Sequence, residues 1–499
     1  MTVDTSLHSL VARASAAARA NHRQVLVSTV ERVPSTDPLE ALVAAADAAR
    51  SDSGLAALVD TRMYWTRPAD GFALAGLGSA ITFSPDGPRR FESVDRSWDE
   101  LLDDALVVDE SPGVPGTGPT LMGGFAFDPE HPPTGPWHAF PQARLTVPLL
   151  QLVERGGDCW LTTSLLVDAS GEPTLELPLL ARLRAAFLDA QPRSSESQPA
   201  IVDSDAITYS ESRRGDDWRA TVQDAVTTIR AGALEKVVLA REVRAATTSD
   251  FDIAETIRQL RYAHPTCYIF GFWAGDSAFV GATPERLVRV NGRDVQASSL
   301  AGSVRRGATP ADDAAQAQEL FASAKDRSEH EIVRRALCAG LARFCDDVTA
   351  ADMPALLSLP QVHHLHTAVH ARLRPGHTIL QIVEALHPTP AVGGAPRDAA
   401  LRFIRQNEKM DRGWYAAPVG WLQRGRGEFA VALRSALITG SEALLFAGCG
   451  VVADSDPDQE YAESLLKLRP MQTAIAAAVA ITDIDSAIAE ATACSGDTI

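Results

Sequence analysis

No stretch of this sequence runs for about 20 apolar residues, so no segment reads as a membrane-spanning helix. The first residues, MTVDTSLHSLVARASAAARANHRQ, place Arg13 and Arg19 inside their apolar stretch and offer no cleavage site. They read as an amphipathic helix, not a secretory signal. None of the six cysteines pairs with another in a CxxC spacing, which fits reduced thiols in a cytoplasm and gives no zinc site. Positive charge is in deficit: 46 Lys and Arg against 64 Asp and Glu leave a net charge of -18, which argues against a nucleic acid or an anionic membrane as partner. An anionic small molecule remains admissible, provided a local pocket of basic groups, backbone N–H or metal overcomes the overall field. Walker A, GxSxG and HExxH patterns are missing, as is any repeat at solenoid periods. What is there is ordinary globular material: 499 residues, 45% hydrophobic, 22% charged, with a mean hydropathy of -0.04. That length allows about two to four domains or one large composite fold.

The stretch AQPRSSESQPAIVDSD (190–205) is rich in Ser, Pro, Gln and Asp and marks a boundary. It divides the chain into an N-terminal α+β region (1–205) integral to the fold, a catalytic region (206–480) and a C-terminal tail (481–499). Before the boundary, QVLVSTV (24–30), DGFALAGLGSAITF (70–83), TLMGGFAFDP (120–129) and LTVPLLQLV (145–153) read as strands, and 177–190 as a helix. After it, helices are expected at 216–232, 252–264 and, unbroken, at 314–344. Strands are expected at KVVLAREVRA (236–245), CYIFGFWAG, SAFVGATPERLVRV, HTAVHARL, GEFAVALRSALIT and EALLFAGCGVV. A last helix starts at Asp456-Pro457, with Asp as N-cap and Pro in the first turn. The fold class is α+β, with β-sheets flanked by helices.

Carboxylates come first among the candidate chemistry. Glu460, Glu463 and Lys467 share one helix face at i, i+3 and i+7, and Asp326 and Glu329 share another. Two helices each offering an acidic pair suit a hard, oxygen-loving cation such as Mg²⁺, although spacing alone favours solvated helix faces. Glu285 follows an apolar strand in GATPERL; a carboxyl aimed inward there would be kept protonated and act as a general acid, or else pair with Arg286. Lys236 opens the apolar strand KVVLAR, where lost hydration favours a neutral amine that can serve as base; snorkelling at the strand end is the commoner case. AGCGVVA (447–453) imitates a dinucleotide fingerprint, but no helix opens after its second Gly, so nicotinamide binding is rejected. His363, His364 and His366 lack a further ligand at metal spacing and read as structural or substrate-binding.

Ten segments stand in order: KVVLAR, GATPERL, SLAGSVRRG, AKDRSEHE, HHLHT, ALHPTPAVGG, DRGWYAAPVG, VALRSALI, FAGCGVV and EYAESLLKL. Together they resemble the chorismate-utilising enzymes of menaquinone, siderophore, salicylate and tryptophan biosynthesis, over roughly residues 210–478. YWTRP, ALAGLG, GGFAFDP and FPQARLTVPLL are similar to the longer isochorismate synthases of that family. The resemblance implies a large composite chorismate-binding fold of the anthranilate synthase component I type. It implies conversion of chorismate to isochorismate with Mg²⁺. It makes Lys236 the base that activates water and Glu285 the acid. It makes Glu329 and Glu463 magnesium ligands, supported by Asp326 and Glu460. Around the substrate it sets Gly302, Ser303, His364, Ala391, Tyr415, Arg434, Gly448, Gly450 and Lys467. Members that use ammonia usually carry Gln at the Lys236 position, so no glutamine amidotransferase partner is expected. Aminodeoxychorismate synthases typically carry Lys at the Ala301 position, and salicylate synthases tend to carry Thr at the Ala391 position. One departure is Cys449, where Ala is usual. Salicylate synthase is the leading alternative, followed by an anthranilate-synthase-like subunit and a non-catalytic scaffold.

Overall fold

A computed structural model describes residues 3–190, 207–360 and 362–494. The boundary assigned to 190–205 lies almost wholly outside the described residues. In the first half the strands are β1 (Val25–Val33), β2 (Thr61–Arg67), β3 (Phe72–Leu77), β4 (Ile81–Phe83), β5 (Leu106–Asp109), β6 (Leu121–Phe125), β7 (Ala143–Val147), β8 (Leu150–Arg155) and β9 (Asp158–Val167). In the second half they are β10 (Thr208–Glu211), β11 (Lys236–Ala246), β12 (Tyr268–Ala274), β13 (Ser277–Thr283), β14 (Arg286–Asn291), β15 (Asp294–Arg305), β16 (Cys345–Ala350), β17 (Ala355–Ser358), β18 (Val362–Leu373), β19 (Gly394–Ala395), β20 (Pro418–Gln423), β21 (Arg426–Val431), β22 (Ser435–Thr439) and β23 (Glu442–Val451).

They form two sheets. The first runs β10-β11-β23-β22-β13-β12-β2-β3-β8-β9-β1-β5, with β19 added beside β11. The second runs β16-β18-β15-β14-β21-β20-β6-β7-β4, with β17 beside β18. Each sheet crosses the 190–205 boundary without a break, at β12·β2 in the first and β20·β6 in the second. Helices α1 (Val3–Asn21), α2 (Pro38–Ser51), α6 (Gly215–Arg230), α7 (Ile253–Ala263) and α12 (Pro457–Cys494) pack on the first sheet. Helices α8 (Pro310–Ala322), α9 (Ala324–Ala342) and α10 (Ile379–Leu386) pack on the second. The other helices are α3 (Ser53–Val59), α4 (Arg90–Asp103), α5 (Leu177–Leu188) and α11 (Arg397–Asn407). An aromatic cluster of Trp137, Phe140, Phe279, Trp414 and Phe446 packs with ring centroids 5.2 to 6.5 Å apart. Each such ring removes roughly 150–250 Å² from water, which makes this core a large share of the stabilisation.

Four runs expected as single strands are split, and each split sends the chain from one sheet to the other. Residues 70–83 leave the first sheet after β3 and enter the second at β4; 145–153 return at Pro148, between β7 and β8. SAFVGATPERLVRV turns at Pro284-Glu285 between β13 and β14, and GEFAVALRSALIT turns at 432–434 between β21 and β22. An apolar run long enough to serve both sheets has the period-2 signature of one long strand, which is why the breaks do not show. The helix expected over 314–344 is two: Ser323 ends α8 and caps α9, its hydroxyl accepting from the Asp326 N–H. Asp456 caps α12, accepting from the Asp458 and Gln459 N–H groups. That helix continues to Cys494, through the segment set apart as a tail.

Candidate active site

Two of the sheet-to-sheet turns open onto one cavity of about 370 Å³. Glu285 sits at the first turn. It is 4% exposed, its carbonyl accepts from Val431 N–H, and its own N–H is held by Thr283 Oγ1. Arg434 sits at the second, at φ 48°, a left-handed conformation that costs a non-glycine residue energy and turns its side chain inward. Every residue expected in the site except Lys236 lines this cavity. Lys236 is wholly buried behind the wall, 2.8 Å from Glu329 Oε1.

The metal-side carboxylates come from the N-terminal turns of α9 and α12, as the spacing predicts. Asp326 and Glu329 project from α9; Glu460 and Glu463 project from α12. Glycine makes the approach of the α9 pair possible. A Cβ on Gly450 would run into Glu329 Oε1 and come within 2.9 Å of Lys236 Cε. A Cβ on Gly302, at φ 78°, would lie 3.0 Å from Asp326 Cβ, and one on Gly448 would lie 3.0 Å from the Tyr415 hydroxyl. Gly448 and Gly450 belong to β23, beside β11, in a plain antiparallel ladder. This pairing also disposes of the dinucleotide fingerprint.

Three lysines answer the acids. Lys236 meets Glu329 at 2.8 Å, Lys325 meets Glu460 at 2.8 Å, and Lys467 meets Glu463 at 2.6 Å while donating to the Gly448 carbonyl at 3.0 Å. Burial opposes the charged form of Glu329, but Lys236, Lys467 and Lys325 outweigh it and hold the carboxyl below its ordinary range. Burial and the adjacent Glu463 push Glu460 up, against Lys325. Burial and Glu329 likewise raise Asp326, against a bond from Ser323. Glu285 has no partner of this kind: burial pushes it up to about 8, against the more distant pull of Lys236 and Lys467. It is a protonated acid at neutral pH.

At the other end, His364 links two site groups. Arg434 Nη2 lies 2.9 Å from His364 Nε2, and Ser303 Oγ lies 2.8 Å from Nδ1. A guanidinium only donates, so Nε2 accepts and Nδ1–H donates to Ser303. Burial, then Arg434 and Lys467, keep the imidazole neutral, well below its ordinary range. His363 faces away on the same strand, 2.9 Å from Asp313 and 2.8 Å from the Ser358 hydroxyl. Tyr415 stacks on Phe446 at 5.3 Å. Ala391 lines the wall in the 387–394 loop, its N–H held by Thr389 Oγ1.

A family model described as chorismate binding enzyme matches residues 12–476. The chain belongs to the chorismate binding enzyme family. The salicylate biosynthesis isochorismate synthase of Pseudomonas aeruginosa is 39% identical over 471 residues, covering 93% of each chain. The isochorismate synthase MenF of Bacillus subtilis is 34% identical over 479 residues, 95% of this chain and 98% of that one. Among solved structures, the menaquinone-specific isochorismate synthase MenF from Escherichia coli superposes with a TM-score of 0.72 at 24% identity, covering 94% of this chain and all of that one. Anthranilate synthase component I from Streptococcus pneumoniae gives 0.65 at 20% identity, covering 80% of this chain and 92% of that one. These two show that the α+β fold is the expected one.

Two wall residues of this family member escaped the sequence reading. Arg412 is buried with Glu408, 2.7 Å apart, donates to the Val238 and Val392 carbonyls at 2.8 Å each, and lies 4.2 Å from the Phe127 ring. It ties the Lys236 strand to the loop that carries Ala391. Its signal is the i, i+4 pair Glu408–Arg412, of which only Arg412 lies inside a motif singled out for other residues. Lys325 stands beside Asp326 in AKDRSEHE and carries no signal of its own in the sequence. The described cysteines form no disulfide. No helix among the described residues is long and apolar enough to cross a membrane.

Proposed function

We propose that this chain converts chorismate to isochorismate, with Lys236 as base and Glu285 as acid. The observation that carries the reading is Glu285: a carboxyl held protonated to about pH 8, at a turn between sheets, in the same cavity as Glu460 and Glu463 with their lysines. Water attacks C2 as its proton passes to the Lys236 amine. The ring double bonds shift and the C4–O bond breaks, with the Glu285 proton going to the departing oxygen. One water enters and one leaves, so substrate and product are isomers and the reaction runs both ways. To accept the proton Lys236 must be uncharged and must part from Glu329. Each of the two proton transfers is worth about 10²–10⁴-fold.

The oxygen-only donor set of Glu329 and Glu463, with Asp326 and Glu460 beside them, fits a hard dication such as Mg²⁺. Bound there, Mg²⁺ would supply the positive charge against which a substrate carboxylate can settle among acids. Arg434, oriented by the His364–Ser303 relay, binds the other carboxylate as a charge-assisted donor. Tyr415, Gly302, Gly448, Gly450 and Ala391 shape the wall, and Lys467 holds Glu463. Lys236 favours water over ammonia as nucleophile, so no amidotransferase partner is needed, and the free thiols suit the cytoplasm. Small Ala391 and the full-length likeness to named isochorismate synthases favour this product over salicylate. The test is a product assay on the purified chain with chorismate and Mg²⁺, read by chromatography with absorbance and fluorescence. Isochorismate without pyruvate is expected and is lost with chelator. Salicylate with equimolar pyruvate would overturn the assignment in favour of the sister activity.

A further inference from the structure

Lys325 has no part in the chemistry just described, yet its ammonium occupies Oε1 of Glu460 at 2.8 Å, and that carboxylate is 2% exposed. Lys325 also lies on the cavity wall, next in sequence to Asp326. The neighbouring charges on this side are the acids Asp326, Glu329, Glu460 and Glu463 and the lysines Lys236, Lys325 and Lys467. With Lys236 still paired to Glu329, as the structure shows it, four acids against three bases leave this side with one net negative charge. A dication takes it to one positive, and a dicarboxylate substrate returns it to one negative. Lys325 therefore sets the midpoint of that swing. Without it the empty cluster carries two negative charges, and the metal-loaded cluster is neutral when the dianion arrives.

We infer that Lys325 is a built-in competitor for the cation, a tethered positive charge that weakens metal binding and in exchange strengthens binding of the anionic substrate to the loaded site. This rests on the metal reading above. The physical case is Coulombic. Removing one positive charge from a buried carboxylate cluster strengthens its hold on a dication and weakens the loaded site's hold on a dianion, and at low effective dielectric neither change is screened away. Glu460 enforces this, because a buried carboxylate that loses the lysine paired with it is left to seek another cation. Lys236 and Lys467 cannot be used to probe the effect cleanly, since both take part in the chemistry or the substrate site.

The experiment compares the full chain with Lys325→Met and Lys325→Arg, using Mn²⁺ as the probe ion, by titration calorimetry and by the loss of the free-ion paramagnetic signal. Lys325→Met should bind Mn²⁺ about tenfold more tightly than the parent without substrate, and should show a larger rise in Tm on adding Mg²⁺. Its KM for chorismate at saturating Mg²⁺ should rise by a similar factor. Lys325→Arg, which keeps the charge, should return both values toward the parent. A purely structural lysine would loosen metal and substrate together, so weaker Mn²⁺ binding in Lys325→Met overturns the inference, as does unchanged binding. If Lys325→Met does not fold, the metal-induced Tm shift of Lys325→Gln decides on the same signs. Failure of the parent chain to bind Mn²⁺, with or without chorismate, overturns the metal reading itself, and the inference with it.

Discussion

Strands β1–β9 and β11–β23 trace one path twice, and only the second trace holds the cavity. In the first sheet the order β2-β3-β8-β9-β1 is repeated outward from the centre as β12-β13-β22-β23-β11, and in the second sheet β6-β7-β4 is repeated as β20-β21-β14. The seam is compatible with this match. Trp65 pairs with Phe270 and Met63 with Phe272, which is one pair and its reverse, and in the second sheet Gly123 pairs with Gly420. Stepping along the ladders, Gly76 matches Gly281, since each bridges its neighbouring strands in the same register. Glu285 then falls on Ala80, Arg434 on Leu150, and Gly448 and Gly450 on Ser164 and Leu166. Helix α12 answers to α5, which contains no acidic residue. The same frame is therefore closed by apolar packing in one half and opened by polar side chains in the other. What makes the site is the residue at each turn between sheets and the helix that follows, not the topology.

The sharpest way to break this comparison is to take the chemistry out of the second half. Glu285→Gln and Lys236→Met should each lower kcat by about 10²–10⁴-fold while leaving the chain folded, as read by isochorismate formation and thermal melts. The pH dependence should follow. Activity needs the Glu285 proton and should fall as pH rises through about 8, a limb absent from the residual activity of Glu285→Gln. Stability carries the same sign. The folded pKa lies above the ordinary 4.5, so the native chain holds one more proton between these values. The stability associated with the neutral carboxyl is complete below about 4.5 and drains as pH climbs to about 8. Urea midpoints of Glu285→Gln should lack that slope.

A second exchange sharpens the comparison by giving one half the other's residue. Arg434→Leu installs what stands at the matching turn. It should raise KM for chorismate about 10–100-fold, the worth of a charge-assisted hydrogen bond, with His364 released from its orientation. Leu150→Ala, in the silent half, should do the reverse. Leu150 is completely buried, so the variant should lose about 2–5 kcal/mol in urea melts with kcat and KM unchanged for the folded fraction. Equal catalytic damage from both changes would mean that the halves are mechanically coupled and not merely alike.

The match between halves is invisible in the sequence because the matched positions differ most where they matter: Ala80 against Glu285, Leu150 against Arg434. The site residues were legible for the opposite reason. Each needed a particular chemistry at a particular spacing, and ten ordered motifs restricted the reading even where single spacings favoured solvated faces. Helix phase put Asp326 with Glu329 and Glu460 with Glu463, and the structure keeps both pairs on the cavity wall. Sheet membership was not legible. LTVPLLQLV reads as one alternating run, and only Pro148 hints that its two ends belong to different sheets. Lys325 was missed because its work is done through Glu460, which comes near only after folding; Arg412 has its partner Glu408 four residues away, but the Val238 carbonyl it also holds is distant in the chain.

The smallest expected effect is at Cys449, which matches Leu165 in the silent half. Both are wholly buried. Leu165 fills core volume, whereas the Cys449 thiol donates to the Glu460 carbonyl at 3.1 Å, behind the acidic cluster. That carbonyl lies within α12, where the helix itself supplies a donor four residues on, so losing the thiol leaves it satisfied. The sulfur lies within 4.8 Å of carboxylate oxygens of Glu460 and Glu463, but burial holds the thiol well above its ordinary pKa, and a neutral thiol is a poor ligand for a hard cation. Cys449→Ala should therefore cost about 1 kcal/mol of stability or less and leave kcat and the Mg²⁺ requirement within twofold. Leu165→Ala should cost about 2–5 kcal/mol. A large loss of metal affinity in Cys449→Ala would show that the sulfur's contact with Glu460 holds α12 in place against β23.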